Sequence, residues 1–189
     1  DAALFLSVIA RHEPRDATSL NIKALDYTLT LSDSLKDITI GVPQEFFGEG
    51  VDARVVKTVQ SAIDVLAKRG ASVVSTSLPT LRYALPAYYL IAMSEASSNL
   101  ARYDGVRYGF SNLASAKDWS TGFSETRKLG FGPEVRRRII LGTYALSSGY
   151  YDMYYMKALK VRTLIKMEFH KAFQDVDALV GPTMPIPPF

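Results

Sequence analysis

Residues 38–79, ITIGVPQEFFGEGVDARVVKTVQSAIDVLAKRGASVVSTSLP, carry a strand, a helix and a second strand in one continuous run. ITIGVP is a short β-branched stretch, and Pro43, which cannot donate a ladder hydrogen bond, brings it to an end. Over 53–69, Val55, Val56, Val59, Ala62, Ile63 and Leu66 recur at the spacing of one face of an α-helix. Asp52 suits its N-cap and Gly70 its C-terminal stop. ASVVSTSLP (71–79) then returns as a strand. A crossover helix brings the chain back in the direction it left, so this order predicts an α/β fold with parallel pairing. The intervening FFGEG loop holds Gly48 and Gly50 but lacks the G-x-G-x-x-G pattern of a phosphate cradle.

On the N-terminal side, residues 1–10 read as a helix, followed by a loop, RHEPRDATSLN, in which Pro14 and Asp16 disfavour regular structure. On the C-terminal side, 84–103 and 134–149 read as helices, and a long helix is expected from Tyr151 to Phe173. Tyr151, Tyr154, Tyr155, Ala158, Val161, Ile165, Phe169, Ala172 and Phe173 fall on one arc of it, and Lys157, Lys160 and Lys171 form a solvated side. The chain closes on a buried strand, ALVG (178–181), and prolines that enforce an extended exit. No repeat, low-complexity tract or second domain interrupts 1–189, which is expected to be one partial domain, truncated at both ends. It opens on Asp1 inside an apolar stretch and stops at MPIPPF.

Composition narrows the chemistry. The 22 basic and 19 acidic residues leave a net charge of +3, too mild to argue for nucleic-acid binding on charge alone. With no cysteine there is neither a disulfide framework nor a thiolate metal site, and a reducing compartment is compatible. His12 and His170 lack any metal-ligand spacing, so no metal site is expected. The apolar opening is too short for a membrane span and has no charged region before it, as a secretory signal would.

The segments 84–110 and 130–165 are laden with tyrosine and arginine. Tyrosines come as doublets, Tyr88–Tyr89, Tyr150–Tyr151 and Tyr154–Tyr155, beside small residues and the run Arg136, Arg137, Arg138. A buried phenol needs a hydrogen-bond partner, so this density suggests either a concave surface that grips a polar ligand or helices stitched together by Tyr and Arg. On a helical wheel Arg138 shares a face with Val135, Gly142, Ala145 and Gly149, whereas Arg137 points away. A guanidinium among glycine and alanine would have room to hold a ligand carboxylate with two hydrogen bonds; the alternative is an ion pair with Asp104 or Glu95. Leu85, Tyr89, Ala92, Ala96 and Leu100 align as a stripe with Tyr88 at its edge, and either tyrosine could bond a ligand or belong to the core. Ser97–Ser98 and Ser147–Ser148 fall mid-helix, where small polar residues serve close packing, and no serine has a G-x-S-x-G setting. The residues contain no complete catalytic constellation.

EASSNLARYDGVRYG, GFGPEVRRRIILGTYALSSGYYDMYY and KVRTLIK closely resemble the amidase-signature family, as do DAALFLSVIARHEPRDATS, ITIGVPQEFFGEGVD and VDALVGPTMPIPPF. The resemblance covers essentially the whole chain. Within the family it is strongest to the component that releases ammonia from glutamine for the amidation of mischarged Glu-tRNA(Gln) or Asp-tRNA(Asn). It implies an α/β fold with a mixed β-sheet flanked by helices, and a catalytic group of a serine, a second serine joined through a cis peptide, and a lysine. In the family these lie upstream of the matching segments, and no Gly-Gly-Ser-Ser-like stretch occurs here, so no catalytic residue is assigned.

The resemblance further implies that a tyrosine and an arginine hold the α-carboxylate of glutamine. Tyr89 and Arg138 are the candidates, each expected on the packed side of its helix, with Tyr88 and Arg137, at the same mutual spacing, as alternatives. A further substrate contact of the family lies beyond Phe189. The implied partners are amidotransferase subunits B and C and, through the complex, the mischarged tRNA. No cofactor is expected in this chain; ATP and Mg2+ would serve the partner protein. A bacterial cytoplasmic setting is implied, with an organelle as the alternative. Two other functions remain open from sequence: a stand-alone amidase of the same family, and a non-catalytic module docking protein or tRNA.

Overall fold

The computed structural model describes residues 1–31 and 34–188; Phe189, the end of the extended exit, lies outside them. Strand β1 (Thr39–Pro43) is the centre of a three-stranded sheet, with β2 (Ser72–Thr76) on one side and β3 (Ala178–Leu179) on the other. Both pairings are parallel, with Ile40 opposite Val73 and Ala178. The expected mixed sheet is therefore not what the described residues form: all three strands run the same way. The C-terminal strand is also shorter and less buried than its sequence suggests, because only Ala178–Leu179 pair as strand and both are half-buried. Its register is pinned at the start of β1, where the Asp177 carboxylate accepts the Thr39 N–H at 2.8 Å and the Asp177 N–H donates to Thr39 O at 2.9 Å.

Between β1 and β2 runs α2 (Ala53–Lys68). Asp52 caps it by accepting the Arg54 N–H at 2.8 Å, and Gly70, at φ +104°, takes the left-handed turn that leads into β2. Ile63 is the residue of α2 that reaches the core. Helix α1 (Ala2–Ile9) forms where expected, but none of its apolar side chains is buried.

The remaining helices make a second layer. α3 (Ala84–Leu100) packs against α5 (Pro133–Leu146) and α6 (Lys157–Ala172). The contact is built from small residues: Ala87, Ser94 and Ser97 of α3, Gly142 and Ala145 of α5, and Ala158 of α6 are all buried. A Cβ at Gly142 would lie 2.0 Å from the Met93 carbonyl oxygen, so only glycine permits this approach. The Ser97 and Thr143 hydroxyls, 2.8 Å apart, bond across the same contact. α6 is tied to the turn Pro79–Tyr83 after β2, where Glu168 accepts the Thr80 N–H at 3.0 Å and the Thr80 hydroxyl.

Three details depart from the sequence reading. The long helix begins with one π turn, Asp152–Met156, whose Met156 N–H reaches back five residues to Tyr151 O. Helix α5 ends at Leu146, so Ser147 and Ser148 sit past its end, and the Ser147 hydroxyl bonds Tyr144 O at 2.7 Å. A further helix, α4 (Trp119–Gly130), forms where no element was expected, capped by Asp118 through the Thr121 N–H and hydroxyl.

The core is thin. Its buried apolar residues are Ile40, Ile63, Ala71, Leu78, Ala87, Ala145, Ala158 and Val176, half of them alanine. The described surface is 14197 Å², whereas a self-contained protein of 20.9 kDa exposes about 9,000 Å². Much of the excess is apolar: Leu4, Phe5 and Val8 of α1 are each more than 60% exposed, and Val73 and Val74 leave β2 bare.

Candidate substrate-binding site

The expected site residues lie on α3 and α5, and their orientations differ from the helical-wheel expectation. The buried face of α3 runs through Ala87, Ser94 and Ser97 rather than the Leu85–Tyr89–Ala92–Ala96–Leu100 stripe, so Leu85, Tyr88 and Tyr89 are all exposed. On α5 the face through Gly142 and Ala145 is buried as expected, but the Arg138 side chain is 50% exposed. Neither Tyr89 nor Arg138 is thus on the packed side of its helix. The space beside Gly142 is not room for a ligand either, since the α3 backbone at Met93 fills it.

Arg137 and Arg138 converge on one carboxylate. Glu134, in the first turn of α5, accepts from Arg137 Nε at 2.9 Å and Nη2 at 2.8 Å, and from Arg138 Nε at 3.0 Å. This is the helical i,i+3 and i,i+4 relation of E-x-x-R-R, and it replaces the expected pairing of Arg138 with Asp104 or Glu95. The Arg137 hydrogen bond is the largest of the influences that hold the Glu134 carboxyl at about 2. In return Glu134 raises the Arg137 pKa, and the nearby Tyr89 phenol adds a smaller contribution in the same direction. Tyr89 is thus within electrostatic range of Arg137, across the two expected pairs.

The Tyr88 ring lies against that of Tyr89, centroids 5.5 Å apart. Tyr88 lines a groove of about 330 Å³ between α3 and α6, with Ile91, Glu95, Arg162 and Ile165. Sequence reasoning missed Arg162 there, and missed Glu134 as the common partner of the two arginines; the E-x-x-R-R spacing was the signal available for the latter. A third cluster joins α5 to the π turn: the Tyr144 and Tyr150 rings lie 4.4 Å apart, with Tyr154 5.9 Å from each. The Tyr150 hydrogen bond is the main reason the Tyr144 phenol is pushed up to about 12. No group of three or more His, Cys, Asp or Glu among the described residues could hold a metal ion.

This layering of a parallel sheet with a small-residue helical contact matches known proteins along its whole length. The family model Amidase matches residues 1–189. The chain belongs to the amidase family. The A subunit of glutamyl-tRNA(Gln) amidotransferase from Carboxydothermus hydrogenoformans is 57% identical over 189 residues, all of this chain and 39% of that protein. Its counterpart from Thermoanaerobacter pseudethanolicus is 56% identical over 186 residues, 98% of this chain and 38% of that protein. The crystal structure of the corresponding glutamyl-tRNA(Gln) amidotransferase protein from Thermotoga maritima superposes with a TM-score of 0.63 at 32% identity, covering 100% of this chain and 36% of that one. The chain thus spans about 39% of the length of the curated relatives it matches.

In chemical terms, α5 presents a guanidinium pair with one carboxylate, a cluster of net charge +1 with the Tyr89 phenol in electrostatic range. That combination suits a small monoanion, with N–H donors for a carboxylate and a hydroxyl donor beside them.

Proposed function

We propose that this segment grips the substrate of a glutamine-hydrolysing amidotransferase component, the one that supplies ammonia for amidation of mischarged Glu-tRNA(Gln) or Asp-tRNA(Asn). The observation that carries the reading is the identity of 54–57% over essentially the whole chain to several glutamyl-tRNA(Gln) amidotransferase proteins of that kind. In this reading Arg138 and Tyr89 hold the α-carboxylate of glutamine, with Arg137 and Tyr88 as the alternatives. The side-chain amide is then presented to a serine–cis-serine–lysine group contributed by other parts of the full-length protein. Fixing one end of a small substrate converts the attack on the other into an effectively unimolecular step. Subunits B and C are the partners, the mischarged tRNA is reached through the complex, and ATP and Mg2+ serve the partner protein. The setting is cytoplasmic, where tRNA is charged. No helix among the described residues is long and apolar enough to cross a membrane.

The test uses Arg138→Ala in the full-length protein, assembled with its partners. A charge-assisted hydrogen bond contributes about 1.5–3 kcal/mol, and each ~1.4 kcal/mol is tenfold. On that scale kcat/KM for glutamine falls roughly tenfold to a hundredfold. Arg138→Lys recovers part of the loss, because an ammonium cannot reproduce the planar contact. Amidation driven by added ammonia persists, since it bypasses glutamine. An enzyme that hydrolyses other amides and is indifferent to Arg138→Ala would be a stand-alone amidase instead. Loss from Arg137→Ala alone would move the role to Arg137.

A further inference from the structure

We infer that Glu134 is the positioning residue of this site, holding Arg138 ready for the ligand carboxylate; the inference rests on the carboxylate-binding reading above. The two arginines use their edges differently. Arg137 spends its Nε–Nη2 edge on both Glu134 oxygens, at 2.9 and 2.8 Å. That edge is one of the faces a ligand carboxylate would need for a two-pronged contact, and it is taken. Arg138 gives Glu134 only its Nε, at 3.0 Å. Its Nη1 and Nη2 groups carry four further N–H donors that Glu134 does not take up. One glutamate thus holds both guanidiniums, the first through two N–H groups and the second through one.

The same carboxylate settles the charge. Two adjacent guanidiniums repel each other, and Glu134 between them reduces the cluster from +2 to +1, matched to one carboxylate. Its own negative charge weakens the pull on an anionic ligand. At about 6 Å in water this opposing effect is a factor of roughly three. Ordering a free arginine side chain costs more than that, a factor of about ten or above. Positioning therefore outweighs repulsion, and loss of the Glu134 charge weakens ligand binding.

The experiment uses the full-length protein in its complex, with glutamine as the probe and kcat, KM and thermal midpoint read for each variant. Glu134→Gln is expected to raise KM about tenfold (~1.4 kcal/mol), with kcat within about twofold. Glu134→Asp keeps the charge on a shorter arm and recovers part of the KM. The double variant Glu134→Gln/Arg138→Ala is no worse than Arg138→Ala alone, because the glutamate acts through that arginine. Glu134 is 53% exposed, so its near-isosteric replacement leaves the fold intact. An unchanged or lowered KM in Glu134→Gln, with Arg138→Ala still impaired, overturns the inference and leaves the carboxylate-binding reading standing. Additive effects in the double variant, or a lowered midpoint with kcat and KM both disturbed, also overturn it. If Arg138→Ala itself has no effect, the underlying reading fails, and this inference with it.

Discussion

Gly142→Ala is the sharpest probe of how the helical layer holds the site. The added methyl would sit 2.0 Å from the Met93 carbonyl oxygen, 2.6 Å from its carbon and 2.7 Å from Ser97 Cβ. Two of those atoms are α3 backbone and cannot swing aside as a flexible side chain would. Restoring an ordinary contact of about 3.4 Å requires α3 and α5 to separate by roughly 1.4 Å at this point. The Ser97–Thr143 hydroxyl bond, now 2.8 Å, then opens to about 4 Å and is lost. Overpacking costs about 1–3 kcal/mol, and the broken hydrogen bond adds about 1 kcal/mol. Against this, alanine is about 1 kcal/mol better than glycine inside a helix. The net expectation is a loss of about 2 kcal/mol, read as a lowered denaturant midpoint at unchanged slope in the full-length protein. Because α5 carries Arg137 and Arg138 and α3 carries Tyr89, the separation also pulls the two halves of the site apart, and KM for glutamine rises. A Gly142→Ala protein as stable as the parent, with unaltered KM, would refute the close-packed helix contact.

Two further outcomes follow from other parts of the molecule. Asp52 has its folded pKa lowered to about 2, chiefly by the Arg54 side-chain hydrogen bond, against an ordinary 3.8, so its contribution is complete above about pH 4 and is lost as pH falls towards 2. In acid titrations of stability, Asp52→Asn removes that increment of pH dependence; an identical acid limb in the variant would count against the N-cap geometry. The 189-residue chain by itself, with α1 and the β2 face bare, is expected to self-associate with rising concentration and to bind a hydrophobic dye. A dye-silent monomer over a wide concentration range would contradict that exposed surface.

The local elements were legible wherever one signal was strong and near in sequence. The β1–α2–β2 unit could be read because β-branched runs, a period of 3.6, Asp52 as cap and Gly70 as stop all agree within about forty residues. Amidase membership was legible for a related reason, since long motifs such as EASSNLARYDGVRYG are themselves local strings. α4 escaped because WSTGFSETRKLG is poor in helix formers and rich in Gly, Ser and Thr. It is held by contacts far away in sequence: Arg127 donates to the Leu100 and Tyr103 carbonyls, and Asn112 N–H donates to the Thr126 hydroxyl.

The site shows the same division. The family resemblance singled out Tyr89 and Arg138, with Tyr88 and Arg137 as alternatives at the same spacing, and nothing but the packing of α3 against α5 could orient them. A helical wheel ranks faces by apolarity, but here the buried face is chosen by size, with Ala87, Ser94, Ser97, Gly142 and Ala145 inside because two backbones must touch. That turns the bulkier Tyr88 and Tyr89 outward with their rings 5.5 Å apart, Tyr88 lining the groove beside Arg162 and Tyr89 within electrostatic range of Arg137. Chemical identity and local periodicity are written in the chain; which side chains meet depends on interhelical distance, a property of two segments about fifty residues apart that neither segment encodes alone.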